Sequence, residues 1–198
     1  MLSRTDRENI EVTGVPVVVA ILMYLWDITV ANIEMVTDKK RQYKGIDWII
    51  WDNERENNIK IDSKFHMKKA RKQSYTDYGV DLVSIEITKA NGLSGWGVNN
   101  KLETDYIIDI INGYGFYVID SVKLHDFTAN NYNKYPIMYK AKGKEDYRAV
   151  PVKELIAEGI IIYWIEWEEI EEVINMVLKD ESYKENIEPL LNKLITHK

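Results

Sequence analysis

The chain has 198 residues, 45% of them hydrophobic and 29% charged, with 32 acids against 26 bases for a formal net charge of -6. That composition excludes a disordered chain and the length allows one sizeable core, while the acidic balance counts mildly against nucleic-acid binding. There is no cysteine, so disulfides, zinc-thiolate sites and cysteine nucleophiles are excluded, which is compatible with a cytoplasmic setting.

In chain order, the first apolar run covers residues 15–26. It is too short for a bilayer span, which takes about 20 apolar residues. The acids Asp6, Glu8 and Glu11 before it are unlike the basic start of a signal peptide. The run predicts a buried helix that starts near Pro16 and continues to about residue 36, with Asp27 and Glu34 on one face. A basic connection at 39–44 leads to a strand at 47–51, a polar turn at 53–58 and a second strand at 59–65. Alternation in that strand puts Ile59, Ile61 and Phe65 on one face and Lys60, Asp62 and Lys64 on the other. A third strand is predicted at 80–87, with Val83, Ile85 and Ile87 opposite Glu86.

The Gly-rich stretch 91–97 reads as a loop, and 105–111 with 116–119 as a strand pair around residues 112–115. A polar stretch follows, then a hairpin of 136–140 and 147–150 across Gly143. Residues 151–158 resemble a short helix opened by Pro151 and stopped at Gly159. A strand at 160–164 and amphipathic helices at 168–178 and 188–196 complete the chain. The pattern predicts an α/β fold with a mixed central sheet flanked by helices. It divides into a domain at 1–165 and a helical C-terminal extension at 166–198 packed on it.

The chemistry gathers at two neighbouring strands. Asp62 and Lys64 point the same way, and Asp47 joins them if the strands pair. Two carboxylates and an ammonium suit a hard divalent cation beside a water that attacks phosphate. Glu86 reaches the same place if the three strands pair in order. The bland alternative is a solvated strand face carrying an Asp–Lys pair, which contributes little.

Gln42-Tyr43-Lys44-Gly45-Ile46-Asp47, Ile61-Asp62-Ser63-Lys64, Ile85-Glu86 and Gly95-Trp96 follow one another, and Lys101-Leu102-Glu103-Thr104-Asp105-Tyr106 completes the set. Together they resemble the PD-(D/E)XK, or restriction-endonuclease-like, nuclease superfamily. The likeness is to its small phage and mobile-element members with a GID…DxK…E…GW…TDY pattern, over residues 42–106, about a third of the chain. The resemblance implies a restriction-endonuclease-like fold and a magnesium-dependent DNA endonuclease, with manganese able to substitute. Asp47 and Asp62, the backbone carbonyl of Ser63 and Glu86 would hold the metal, and Lys64 would orient the attacking water.

Around this set, Gln42 is a candidate for the substrate or a metal-bound water, with an ordinary loop glutamine as the alternative. Lys68, Lys69, Arg71 and Lys72 form the strongest basic cluster and are candidates to track a phosphate backbone, as against a solvated loop. Trp96 is a candidate to stack on an unpaired base, as against closing a loop over the core. Lys101 is a further substrate-binding candidate, and Asp105 either anchors a turn or orients it. A homodimer is compatible with cutting both strands. The rival reading keeps the fold without turnover, as a DNA- or protein-binding regulatory module. The acidic balance favours it, as does the apolar spacing of Ile170, Val173, Ile174 and Val177. The scattered histidines, and the absence of a phosphate-loop or Gly-x-Ser-x-Gly signature, leave other hydrolase chemistries unsupported.

Overall fold

Six consecutive apolar residues, Val17 to Leu22, leave no polar stripe on that part of the first helix, and all six are buried. In the computed structural model this helix, α1 (Arg4–Trp26), crosses one face of the main sheet. The structure describes residues 4–51, 58–66, 82–89, 94–99, 101–111, 114–139 and 146–196. The basic cluster Lys68, Lys69, Arg71 and Lys72 lies outside the described residues, as do most of the turn predicted at 53–58, the loop residues 91–93 and Gly143.

The helix departs from expectation at both ends. It begins a dozen residues before Pro16, which sits inside it, and it stops at Trp26. Asp27 adopts a left-handed conformation (φ 50°), and the Ile28 N–H donates to the Met23 carbonyl (3.4 Å), the bond that closes a Schellman C-cap. Residues predicted as its last turns instead form β1 (Ile33–Met35), in which Ile33 and Met35 are buried and Glu34 faces the other way. Asp27 and Glu34 therefore do not share a helical face.

The chain continues through α2 (Lys39–Gln42), β2 (Trp48–Ile50), β3 (Ile59–His66), β4 (Leu82–Thr88), β5 (Tyr106–Ile111) and β6 (Gly115–Asp120). Then come α3 (Ser121–Asn131), β7 (Ile137–Tyr139), β8 (Asp146–Pro151), α4 (Val152–Ala157) and β9 (Ile161–Glu166). The chain closes with α5 (Trp167–Val177), α6 (Glu181–Asn186) and α7 (Glu188–Thr196). A six-stranded mixed sheet has the order β1-β2-β3-β5-β6-β9, with β3 and β5 parallel and the other neighbours antiparallel. A smaller antiparallel sheet has the order β4-β8-β7. The three strands 47–51, 59–65 and 80–87 thus do not pair in sequence: β4 leaves for the second sheet, and β5 takes the place beside β3.

Alternation along β5 divides the interior in two. Ile108 and Ile110 join α1 and the C-terminal helices, through Ile170 and Val177 of α5, Tyr183 of α6 and Ile187. Ile107 and Ile111 join Val83, Ile85 and Ile87 of β4, Leu124 of α3 and Leu155 of α4. The main sheet is therefore covered by helices on one face and by the small sheet with α3 and α4 on the other. Among the described residues, no helix is long and apolar enough to cross a membrane.

Candidate active site

Ile61 points into the α1 side of the sheet, so Asp62 and Lys64 must point to the opposite face. Asp62 is only 2% exposed. The Lys64 ammonium donates to Asp62 Oδ1 at 2.6 Å, and its side chain retains 28% exposure. The other oxygen, Asp62 Oδ2, is buried with no hydrogen-bond partner. Burial pushes the Asp62 carboxyl up to about 7, with Lys64 opposing the rise and the negative Asp47 adding to it. Burial pulls the Lys64 ammonium down, but Asp62, Asp47 and Glu86 outweigh it and leave the lysine above its usual range.

Asp47 arrives from the neighbouring strand. Its N–H donates to the Ile61 carbonyl (2.9 Å), one residue before β2 begins. Its carboxylate takes over where the β2 ladder ends: Asp47 Oδ2 accepts from Ser63 N–H (3.0 Å) and Ser63 Oγ (3.3 Å). The Trp48 indole donates to Ser63 Oγ at 3.1 Å and holds that hydroxyl in place. In a strand the N–H and C=O of one residue face the same neighbour. The Ser63 carbonyl therefore points to the edge where Asp47 sits. Gly45, at φ +75°, makes the turn that delivers Asp47, and a Cβ there would also meet Leu102.

Glu86 comes to this place by an unforeseen route. It lies on β4 in the second sheet, which packs through Val83, Ile85 and Ile87 onto β5 and β6, on the face of the main sheet that carries Asp62 and Lys64. Tyr147 of β8 donates its hydroxyl to Glu86 Oε1 (2.9 Å). The Gly95-Trp96-Gly97 turn fastens the same strand: Gly95 N–H donates to the Ile87 carbonyl (2.8 Å) and Gly97 N–H to the Glu86 carbonyl (3.0 Å). Asp109 is a member that sequence reasoning missed. It is 2% exposed and is the register partner of Lys64 across the parallel β3–β5 ladder, so both side chains leave the sheet on one face. Its readable signal is a lone acid inside the strand Tyr106-Ile-Ile-Asp109-Ile-Ile.

The remaining candidates are placed elsewhere. Trp96 is 8% exposed and packs in the second core, so its ring has no open face for a base; this corrects the stacking role. Gln42 donates its side-chain amide to the Val36 carbonyl (2.9 Å) and pins the loop before Asp47. Asp105 anchors the start of β5, accepting from Lys60 N–H (2.8 Å), while Thr104 Oγ1 donates to the Lys60 carbonyl (3.1 Å). Lys101 is exposed on the rim of a separate groove. Glu34 pairs with Arg41 (2.8 Å) on the far side of β2.

The donor set fits a magnesium ion. Two carboxylates and a carbonyl are hard oxygen donors, an Asp62 oxygen is buried and unpartnered, and magnesium takes only one or two carboxylates beside its waters. Among the described residues, no group of three or more His, Asp and Glu side chains surrounds a common metal position. Glu86 lies within electrostatic reach of Lys64 and accepts a hydrogen bond from Tyr147. Comparison with protein-family models, with curated proteins and with solved structures finds no match to this chain.

Proposed function

We propose that this protein is a metal-dependent DNA endonuclease of the restriction-endonuclease-like type. The observation that carries the reading is the buried Asp62, one oxygen paired to Lys64 and the other unpartnered beside Asp47. An isolated surface Asp–Lys pair has no need to be buried, and burial of an acid without full pairing costs stability. Such an arrangement is retained where a cation is to be held.

Asp47, Asp62 and the Ser63 carbonyl would hold magnesium, with manganese able to substitute. Bound there, the metal would lower the pKa of a coordinated water and neutralise charge on the phosphate. The chain's own residues do the positioning. Ser63 fixes the Asp47 carboxylate through its N–H and hydroxyl, and Trp48 fixes Ser63. Lys64 remains protonated through the neutral range, held so by three acids, and offers its ammonium to the attacking water or to the phosphate oxygens. Glu86, held by the Tyr147 hydroxyl, adds negative charge that favours the ammonium form.

The test is incubation of purified protein with supercoiled, linear and branched DNA in magnesium or manganese, beside Asp62→Asn and Lys64→Ala. Cleavage by the wild type, reduced by about a hundredfold or more in both variants, is the expected result, since loss of one preorganised electrostatic group lowers rates by that order. DNA or protein binding without cleavage in any metal would replace the enzyme with a regulatory module on the same fold. A pair of chains would cut both strands of a duplex.

A further inference from the structure

Beside the candidate site the surface changes character. Asp38 caps the short helix α2, accepting from Lys40 N–H (3.1 Å) and Arg41 N–H (3.2 Å), and the helix ends at Tyr43. Tyr43 is 79% exposed, the most exposed large aromatic side chain among the described residues. Its ring borders an open groove of about 680 Å3 lined by Lys40, Tyr43, Lys44, Lys101, Leu102 and Glu103. The groove is built by contact between two loops. Glu103 N–H donates to the Lys44 carbonyl (2.9 Å), and the Lys44 ammonium is ion-paired to Glu103 Oε1 (2.5 Å).

Three ammonium groups face one carboxylate here, in a chain whose overall charge is negative. The lone acid is already neutralised by Lys44, so Lys40 and Lys101 are left to set the sign of the field. An exposed ring among cations, over an apolar floor supplied by Leu102, is the pairing of stacking platform and phosphate contacts that binds unpaired nucleotides. A duplex would offer phosphates to the lysines but keep its bases stacked on one another, with none for the ring.

The groove lies close to the site. Lys44 and Asp47 are three residues apart, which limits their separation to about 11 Å. Lys60 shares the β3 face of Asp62 and Lys64, and after the Lys44 hydrogen bond its charge helps to hold the Glu103 carboxyl below its usual range.

We propose that this groove binds a single-stranded segment of nucleic acid, stacking an unpaired base on Tyr43 and placing its phosphates on Lys40 and Lys101. The inference rests on the nuclease reading for its consequence, which is that the preferred substrate is DNA with an unpaired arm rather than uninterrupted duplex.

The experiment is fluorescence anisotropy of the full chain in EDTA, where no cleavage occurs. The labelled probes are an oligothymidine, a blunt duplex of equal length and that duplex with a single-stranded flap. Oligothymidine and flap are expected to bind more tightly than blunt duplex. Tyr43→Ala should weaken both by about fivefold or more, and Tyr43→Trp should not. Lys40→Ala and Lys101→Ala should each lower the salt dependence by about one phosphate contact. Because Tyr43 is exposed, its loss leaves the packing intact. Equal affinity for blunt duplex, or binding indifferent to Tyr43, would overturn the proposal. Cleavage in magnesium is scored separately. Tyr43-dependent binding without cleavage would keep the groove and remove the nuclease, whereas cleavage with no preference for unpaired DNA would do the reverse.

Discussion

Asp62 carries its proton in the folded state up to about pH 7, whereas in the unfolded chain it releases it near its ordinary value of 3.8. Between those values the native protein binds a proton that the unfolded chain does not. The Asp62 contribution to stability therefore falls as pH rises from about 4 to 7, then levels off. Lys64 shifts in the opposite sense: its contribution is complete below its unfolded value of 10.5 and is lost only as pH rises through its higher folded one, so it adds no slope in this window. Asp62→Asn removes the carboxyl and should gain on the wild type between pH 5 and pH 8, by on the order of a few kcal/mol. Urea denaturation of both metal-free proteins at the two pH values measures it, and a constant difference would mean that Asp62 is ionised throughout. At this scale the sequence was legible where chemistry is local. Asp62 and Lys64 share a face because they are two residues apart on a strand. Asp109 was hidden because its place beside Lys64 depends on a ladder between strands far apart in the chain.

Among the elements, β4 positions Glu86 and the Gly95-Trp96-Gly97 turn positions β4. A Cβ on Gly95 would stand 2.3 Å from the Glu86 carbonyl oxygen, a backbone atom that cannot swing aside. Gly95→Ala should therefore cost about 1–3 kcal/mol, the range for overpacking. Its thermal midpoint should fall by several degrees, at about 2–4 °C per kcal/mol for a chain of this size. Cleavage should fall with it if Glu86 is displaced, and differential scanning fluorimetry beside the nuclease assay checks both. The strands at 59–66, 106–111 and 115–120 were readable because alternation and β-branched residues coincide there. Helix α3 was not, because two of its three buried residues are Ser121 and Thr128, which blur the apolar stripe; the cap from Asp120 to Lys123 N–H (3.0 Å) was its clearest signal. The helix predicted through residue 36 failed because Ile28, Val30, Ile33 and Met35 are as apolar as the run before them, and only Asp27 marks the break. The departure of β4 into a second sheet had no local signal, since its partner β8 lies some sixty residues away.

Across the whole molecule, the C-terminal helices share their core with α1 and the main sheet. Ile170 is fully buried there, and Val177, Tyr183, Ile187 and Leu191 are also buried. Ile170→Ala should cost about 2–5 kcal/mol, as for other large-to-small changes in a packed core. Urea denaturation gives the value, and a loss well under 1 kcal/mol would mean that α5 is loosely attached. The main sheet itself is two antiparallel halves, β1-β2-β3 and β5-β6-β9, joined along the β3–β5 seam. That seam brings together strands separated by the whole excursion through β4, so its formation must wait for a long loop to close. Asp47, Asp62 and Lys64 belong to one half and Asp109 to the other. On refolding, the first three can assemble as a local unit, and Asp109 takes its place beside Lys64 only at the slow step that unites the halves.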